Sequence, residues 1–167
     1  MDDRHRIIFS RRSIRRYTAQ PVTDDEITSL LQVAMAAPSG SNRKPWHFVV
    51  VTDRATLKEL AAAHPYGKML AHASVAIAVC GEPATSRWWV QDCSAATENI
   101  LIGVAALGLG GVWVGCYGAP DRERSVGRIL DIPDTIRVLS LISIGHPGED
   151  KDPRTQYDPG RIHKDRW

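Results

Sequence analysis

Apolar residues recur at helical spacing from Ile27 onward, with Leu30, Leu31, Ala34 and Met35 on the same face. The start of that helix is marked locally. Thr23 as N-cap with Glu26 three residues later forms a capping box, and Val22 with Ile27 fits a hydrophobic staple. Pro38 sets the stop, because the residue before a proline avoids the helical region. The apolar run of residues 47–52 then predicts a strand, and Asp53 caps a helix carrying Leu57, Leu60 and Ala61 that breaks at His64-Pro65. Ser74 to Cys80 is a second short apolar strand. Residues 87–109 predict a long helix, apolar or small around most of its circumference (Ala95, Ala96, Ile100, Leu101, Val104, Ala105, Leu107). Such a helix must be covered on more than one side, and the pattern predicts that a partner subunit supplies cover. Gly108, Gly110 and Gly111 end it, and Val112 to Cys116 form a third strand. Asp121 caps a further helix with Val126, Ile129 and Leu130 inward. Arg137 to Ile144 is a fourth strand with apolar residues on both faces, hence central. From Gly148 the periodicity is lost. Pro147, Pro153 and Pro159 among many charges predict an extended arm over 148–167, ending on Trp167, an odd residue to leave in water.

This alternation argues for a layered sheet covered by helices, and by itself it favours parallel strands. The length, 167 residues, suits one domain over 1–167 with its own core. Charge narrows the function. The formal net charge is +2, from 21 basic and 19 acidic residues, far from the excess of a dedicated nucleic-acid binder. Cys80, Cys93 and Cys116 are an odd number in apolar surroundings, so no disulfide framework follows and a cytoplasmic setting is expected. Glu98 and Asn99 interrupt the longest apolar run, and the opening Asp2-Asp3-Arg4 lacks a signal-peptide core, so no membrane partner is expected. The six histidines show no metal-ligand spacing, and neither a nucleophile elbow nor a P-loop occurs.

Two stretches carry candidate chemistry. Arg11-Arg12-Ser13-Ile14-Arg15-Arg16 puts four guanidinium forks and a hydroxyl into six residues. In an extended segment Arg11, Ser13 and Arg15 share a face and can meet one phosphate. The same run also reads as a solvated basic stretch. Pro38-Ser39-Gly40-Ser41-Asn42 is a turn-rich polar loop entering a strand, able to offer hydrogen-bonding groups to a flat polar ligand. On composition alone it reads more readily as an ordinary helix-to-strand connection. Gly108-Leu109-Gly110-Gly111 is not a dinucleotide fingerprint, because these glycines leave a helix and enter a strand. Trp88 and Trp89 read as packing residues or as a pocket wall. Asp92 and Glu98 are not spaced as a catalytic carboxylate pair.

These stretches, in this order, resemble the flavin-dependent nitroreductase family in its short form: RRSIRRY, then APSGSNRKPWHFVVV, then WWVQDC continuing into AATENILIGVAALGLGGVWVG. A fourth, IGHPGEDKDPRTQYDPGRIHKDRW, is similar to the family's C-terminal arm, so the resemblance spans nearly all of the chain. It implies an α+β, three-layer α/β/α fold on a largely antiparallel mixed sheet, with the arm crossing to a partner subunit in a homodimer. It implies FMN held by Arg11, Arg12, Ser13 and Arg15, by Pro38, Ser39, Gly40 and Asn42 reaching across the dimer, and by the strand at Val114 and Gly115. Relatives often complete the phosphate site with an Arg just before an aromatic residue of the arm. Here Gln156 precedes Tyr157, and Arg154 is the best substitute. Trp88 and Trp89 would border the substrate. No catalytic side chain is required, because the flavin carries the chemistry.

The activity implied is a two-stroke oxidoreductase: hydride from NADH or NADPH, then electrons to a small-molecule acceptor such as a nitroaromatic or quinone. A non-catalytic FMN-binding or storage protein, or a flavin-fragmenting or dehalogenating relative, remains open at this point.

Overall fold

The computed structural model describes residues 3–167; Met1 and Asp2 of the acidic opening lie outside the described residues. The described residues form five α-helices and four strands in the order α1 (Arg6–Ser10), α2 (Asp24–Met35), β1 (Trp46–Val51), α3 (Arg54–Ala63), β2 (Val75–Gly81), α4 (Trp89–Ala106), β3 (Gly110–Gly115), α5 (Pro120–Ile129) and β4 (Arg137–Gly145). The start of α2 is the expected capping box. Glu26 N–H donates to the Thr23 hydroxyl, and the Glu26 carboxylate accepts from Thr23 N–H at 2.7 Å. Asp53 caps α3 through Thr56 N–H at 2.8 Å.

The sheet order is β1-β2-β4-β3, and each neighbouring pair is antiparallel. The expectation of parallel strands, drawn from the pattern alone, fails for a definite reason. After β1 the chain goes out along α3 and returns through a packed 3₁₀ turn, Lys68–His72, so Val51 ends opposite Ala76. Only α4 is a true crossover. It joins β2 to β3, which run the same way, and β4 is inserted antiparallel between them.

Alternation along β2 splits the core in two. Val75, Ile77 and Val79 face α2 and α4; Ala76, Ala78 and Cys80 face the layer of α3 and α5. Both faces are buried, which gives three layers. In β4 the ladder slips by one residue. Val79 pairs with Ser140 but Cys80 with Val138, leaving Leu139 as a bulge. The Leu139 carbonyl accepts from both Cys116 N–H and Tyr117 N–H at 3.0 Å, and there β3 ends.

Three expectations need correction. Met35, expected inward, is 54% exposed, because it falls in the last turn of α2 beyond the layer it packs on. Asp121 does not cap α5: Ala119 occupies the N-cap with Pro120 opening the helix, where a missing N–H costs nothing. The long helix spans 89–106, and most of its cover comes from its own chain. α2 and the sheet bury Cys93, Ala96, Ile100 and Val104, while Ala106 and Leu107 stay exposed. No helix among the described residues is long and apolar enough to cross a membrane.

Candidate functional site

The basic segment lies on the outer edge of β3. Ser13 bridges in parallel to Gly111, and Ile14 N–H donates to the Gly111 carbonyl at 3.0 Å. Ile14 is the anchor. It is buried between its charged neighbours, and a Cβ on Gly110 would come within 2.6 Å of it. A glycine that reads in the sequence as a helix stop is also the socket for the one apolar residue of the basic run.

The beginning of the C-terminal arm runs antiparallel beside this segment. Gly148 N–H donates to the Arg16 carbonyl at 2.8 Å, and Arg154 N–H to the Phe9 carbonyl at 3.0 Å. Between them the Glu149 carboxylate accepts from Arg15 N–H at 2.6 Å, and Lys151 Nζ donates to the Ser13 carbonyl at 2.6 Å. The Arg12 guanidinium donates to the Asp152 carbonyl. Those bonds hold the Glu149 carboxyl below its ordinary value, first through Arg15 N–H and then through Lys151. Past Arg154 the arm is exposed throughout, and Trp167 is fully exposed, stacked only on His163 at 4.1 Å.

Arg11 and Arg15 open onto different clefts. Arg11 lies with Arg12 and Lys151 in a cleft of about 170 Å³ over α4, where its Nε meets Glu98 Oε1 at 3.1 Å. Arg15 lines a cleft of about 500 Å³ along the free half of the β3 edge, with Val112–Gly115 as its floor. Lys68 and Arg122 join it there, and no carboxylate is among the lining residues. Gly115 is the flat end of that floor, since a Cβ there would meet nothing within 4 Å. Its carbonyl is fixed from below by buried His64. Nδ1 of His64 accepts from Tyr66 N–H at 3.2 Å, so Nε2 carries the proton and donates to Gly115 at 2.9 Å. Arg122 lies over the ring of Tyr66 at the cleft mouth, 5.2 Å from its centroid.

The 38–42 loop sits at the end of the sheet where β1 begins and β2 ends. It lines a separate cleft of about 500 Å³ with Ser86, Arg87 and Trp88, so one chain does not join it to the Arg15 cleft. Pro38 and Asn42 are exposed, and Ser39 accepts from Lys44 N–H at 3.0 Å. Ser41, Asn42 and Lys44 hold left-handed φ angles of 52°, 55° and 51°, which side-chain-bearing residues rarely adopt. Asp92, given no role from the sequence, supports this loop. Only 5% exposed, it accepts from Gly40 N–H at 2.8 Å and from the Ser86 hydroxyl at 2.9 Å. Of the two tryptophans, Trp88 is half exposed beside Gly40. Trp89 is turned into the core beneath Gly81, edge-on to Tyr117 at 5.0 Å.

Residues 8–146 match the model of the Nitroreductase family. The chain belongs to that family. Among its nitroreductase relatives, a "Putative NADH dehydrogenase/NAD(P)H nitroreductase" of Archaeoglobus fulgidus is 44% identical over 174 residues, covering 100% of both chains. A solved structure of that name from Bacteroides thetaiotaomicron has a TM-score of 0.94 at 43% identity, covering 96% of each chain. A putative nitroreductase from Desulfovibrio desulfuricans, solved in complex with FMN, is 27% identical, with a TM-score of 0.85 and coverage of 100% of this chain and 99% of that one. The three-layer, largely antiparallel fold that the resemblance implied is the one observed; its strands all pair antiparallel, and the bridge of Ser13 to Gly111 is parallel.

Lys68, Arg122 and His64 line the Arg15 cleft, and the sequence reading missed them. Their only trace was the break at His64-Pro65. His64 meets Gly115 across fifty-one residues, and Lys68 and Arg122 line the same cleft as Arg15 from distant parts of the chain, which no local periodicity encodes.

Proposed function

We propose that the protein is an FMN-dependent oxidoreductase that takes hydride from NADH or NADPH and reduces a nitroaromatic, a quinone or a similar acceptor in two strokes. The observation that carries this reading is the cleft along the β3 edge: three cations, no lining carboxylate, and a floor that ends in the bare main chain of Gly115. These residues fit FMN, which needs donors for an anionic tail and an unobstructed backbone under a flat ring. The FMN complex of the Desulfovibrio relative supports the same cofactor. When bound, FMN supplies the hydride and electron transfer.

The chain's own residues bind and orient. Ser13 and Arg15 hold the phosphate and ribityl chain; Arg11 and Arg12 join them by leaving their present partners, Glu98 and the Asp152 carbonyl, and Arg154 of the arm is a further cation. Val114 and Gly115 support the ring, and His64 keeps the Gly115 carbonyl turned toward itself. Pro38, Ser39, Gly40 and Asn42 cradle the ring from a second copy of the chain. That assignment rests on the separation of the two clefts within one chain, which a second copy would remove. The exposed segment 155–167 crosses to the same partner, and Trp88 borders the acceptor, with Trp89 behind it. The homodimer works in the cytoplasm, where three buried free thiols are at home.

The purified protein should be yellow and release FMN, not FAD, on heating. Anaerobic NADH or NADPH should bleach it, and nitroaromatic or quinone should restore the colour. Release of FAD, or of no flavin, overturns the cofactor assignment. FMN that no nicotinamide bleaches would make it a storage protein.

A further inference from the structure

We infer that Asp92 is a positioning residue for the flavin of the other subunit, acting through Gly40. The inference rests on the shared-site reading above. Buried carboxylates persist only when partnered, and both oxygens of Asp92 are used. Oδ1 accepts from Gly40 N–H at 2.8 Å; Oδ2 accepts from the Ser86 hydroxyl at 2.9 Å. Ser86 Oγ in turn accepts from Trp88 N–H at 3.1 Å. Three pieces of chain are thereby tied at one point: the loop before β1, the turn after β2 and the first turn of α4. The negative charge also sits in that first turn, where the helix dipole favours it.

The tie bears on a loop that needs one. With Ser41, Asn42 and Lys44 all left-handed, the loop is held in a conformation that its own sequence does not favour. Gly40 is pressed from the other side by Trp88, whose Cδ1 would lie 2.8 Å from a Cβ at that position. The Gly40 amide is therefore clamped between a carboxylate and an indole, while beside it Asn42 is exposed and the Ser39 hydroxyl, accepting from Lys44 N–H, holds the loop closed. Asp92 touches neither flavin nor substrate. It fixes the groups that do.

The test uses full-length chains carrying two different tags. Asp92→Ala should weaken FMN binding roughly ten- to a hundredfold, as for loss of a charged hydrogen bond. Asp92→Asn keeps an acceptor for Gly40 and should stay within about threefold of wild type. Mixed dimers then separate positioning from general loosening. Pairing an Arg15→Ala chain with an Asp92→Ala chain places both defects in one site and leaves the other intact, so one tight FMN per dimer is expected. A mixed dimer with no tight site overturns the inference, since Asp92 would then serve its own chain's flavin. Wild-type affinity in Asp92→Ala overturns it as well. Should Asp92→Ala not fold, Gly40→Ala, which forces Trp88 away, must give the same one-site result in the mixed dimer. A wild-type chain that sediments as a monomer overturns the shared site and this role together. That result is distinct from a flavin-loaded dimer indifferent to Asp92, which overturns the role alone.

Discussion

Lys151 Nζ donates to the main-chain carbonyl of Ser13 at 2.6 Å, and it also meets the Glu149 carboxylate at 3.2 Å. The arm and the basic segment are therefore one folded unit at residues 148–154, within a single chain. The remaining residues, 155–167, are exposed throughout.

Two truncations should behave differently. Removing 155–167 leaves the docked portion in place, so the chain should stay folded but lose dimerisation, tight FMN binding or both. Removing 150–167 also takes Lys151 and the Asp152 carbonyl from the basic segment, and should cause aggregation or a lower melting temperature. Obligate interfaces of this kind bury on the order of 2,000–5,000 Å². Sedimentation at micromolar concentration checks both. A flavin-loaded monomer from the shorter deletion would show that the distal arm joins nothing.

Arg15→Ala should weaken FMN binding by about 1.5–3 kcal/mol, or ten- to a hundredfold, without loss of fold. Arg11→Ala should also weaken it, but less, because that guanidinium is already engaged by Glu98. Lys58→Ala, on the exposed face of α3, is the control. Equal losses at all three positions, measured by fluorescence titration, would mean that the basic run is no specific site.

The Glu149 carboxyl is held below its ordinary 4.5 by Arg15 N–H and Lys151. A carboxyl with a lower pKa folded than unfolded adds stability above its unfolded value, and loses it as pH falls through the folded one. Glu149→Gln should therefore melt a few degrees below wild type at pH 7, roughly what a weak charged contact gives. The gap should close as the pH drops below 4.5. A gap that is constant with pH would assign the effect to shape, not charge.

Burial pushes the thiols of Cys80, Cys93 and Cys116 up to about 12. None should react with a thiol reagent at pH 8 in the native protein, and all three should react after denaturation. Fast labelling of the native chain would place one of them at an opening in the core.

Features set by neighbours in the chain were legible in the sequence. The Thr23–Glu26 box, the Asp53 cap and the two-sided burial of β4 are local, and each is where periodicity and capping chemistry put it. Strand direction was not legible, because it depends on whether the chain returns after a helix, and the turn at Lys68–His72 carries no periodic mark. The same limit applies to the site. Arg15 and Gly40 announce themselves by residue type, whereas Asp92 looks like any polar residue on a helix until Gly40, fifty-two positions away, is laid against it.

Leu139 has a consequence for how this scaffold can vary. Because it is the extra residue of a bulge, its deletion would leave Val138 and Arg137 on the faces and opposite the partners they now have, so the sheet should survive a loss that would turn an ordinary strand inside out. What would go is the carbonyl that receives Cys116 and Tyr117 and turns the chain away after Gly115. A variant lacking Leu139 should thus keep its circular dichroism and melt cooperatively while losing FMN. Fold and cofactor placement come apart at that single deletion, while the loss of the buried Leu139 side chain lowers the melting temperature.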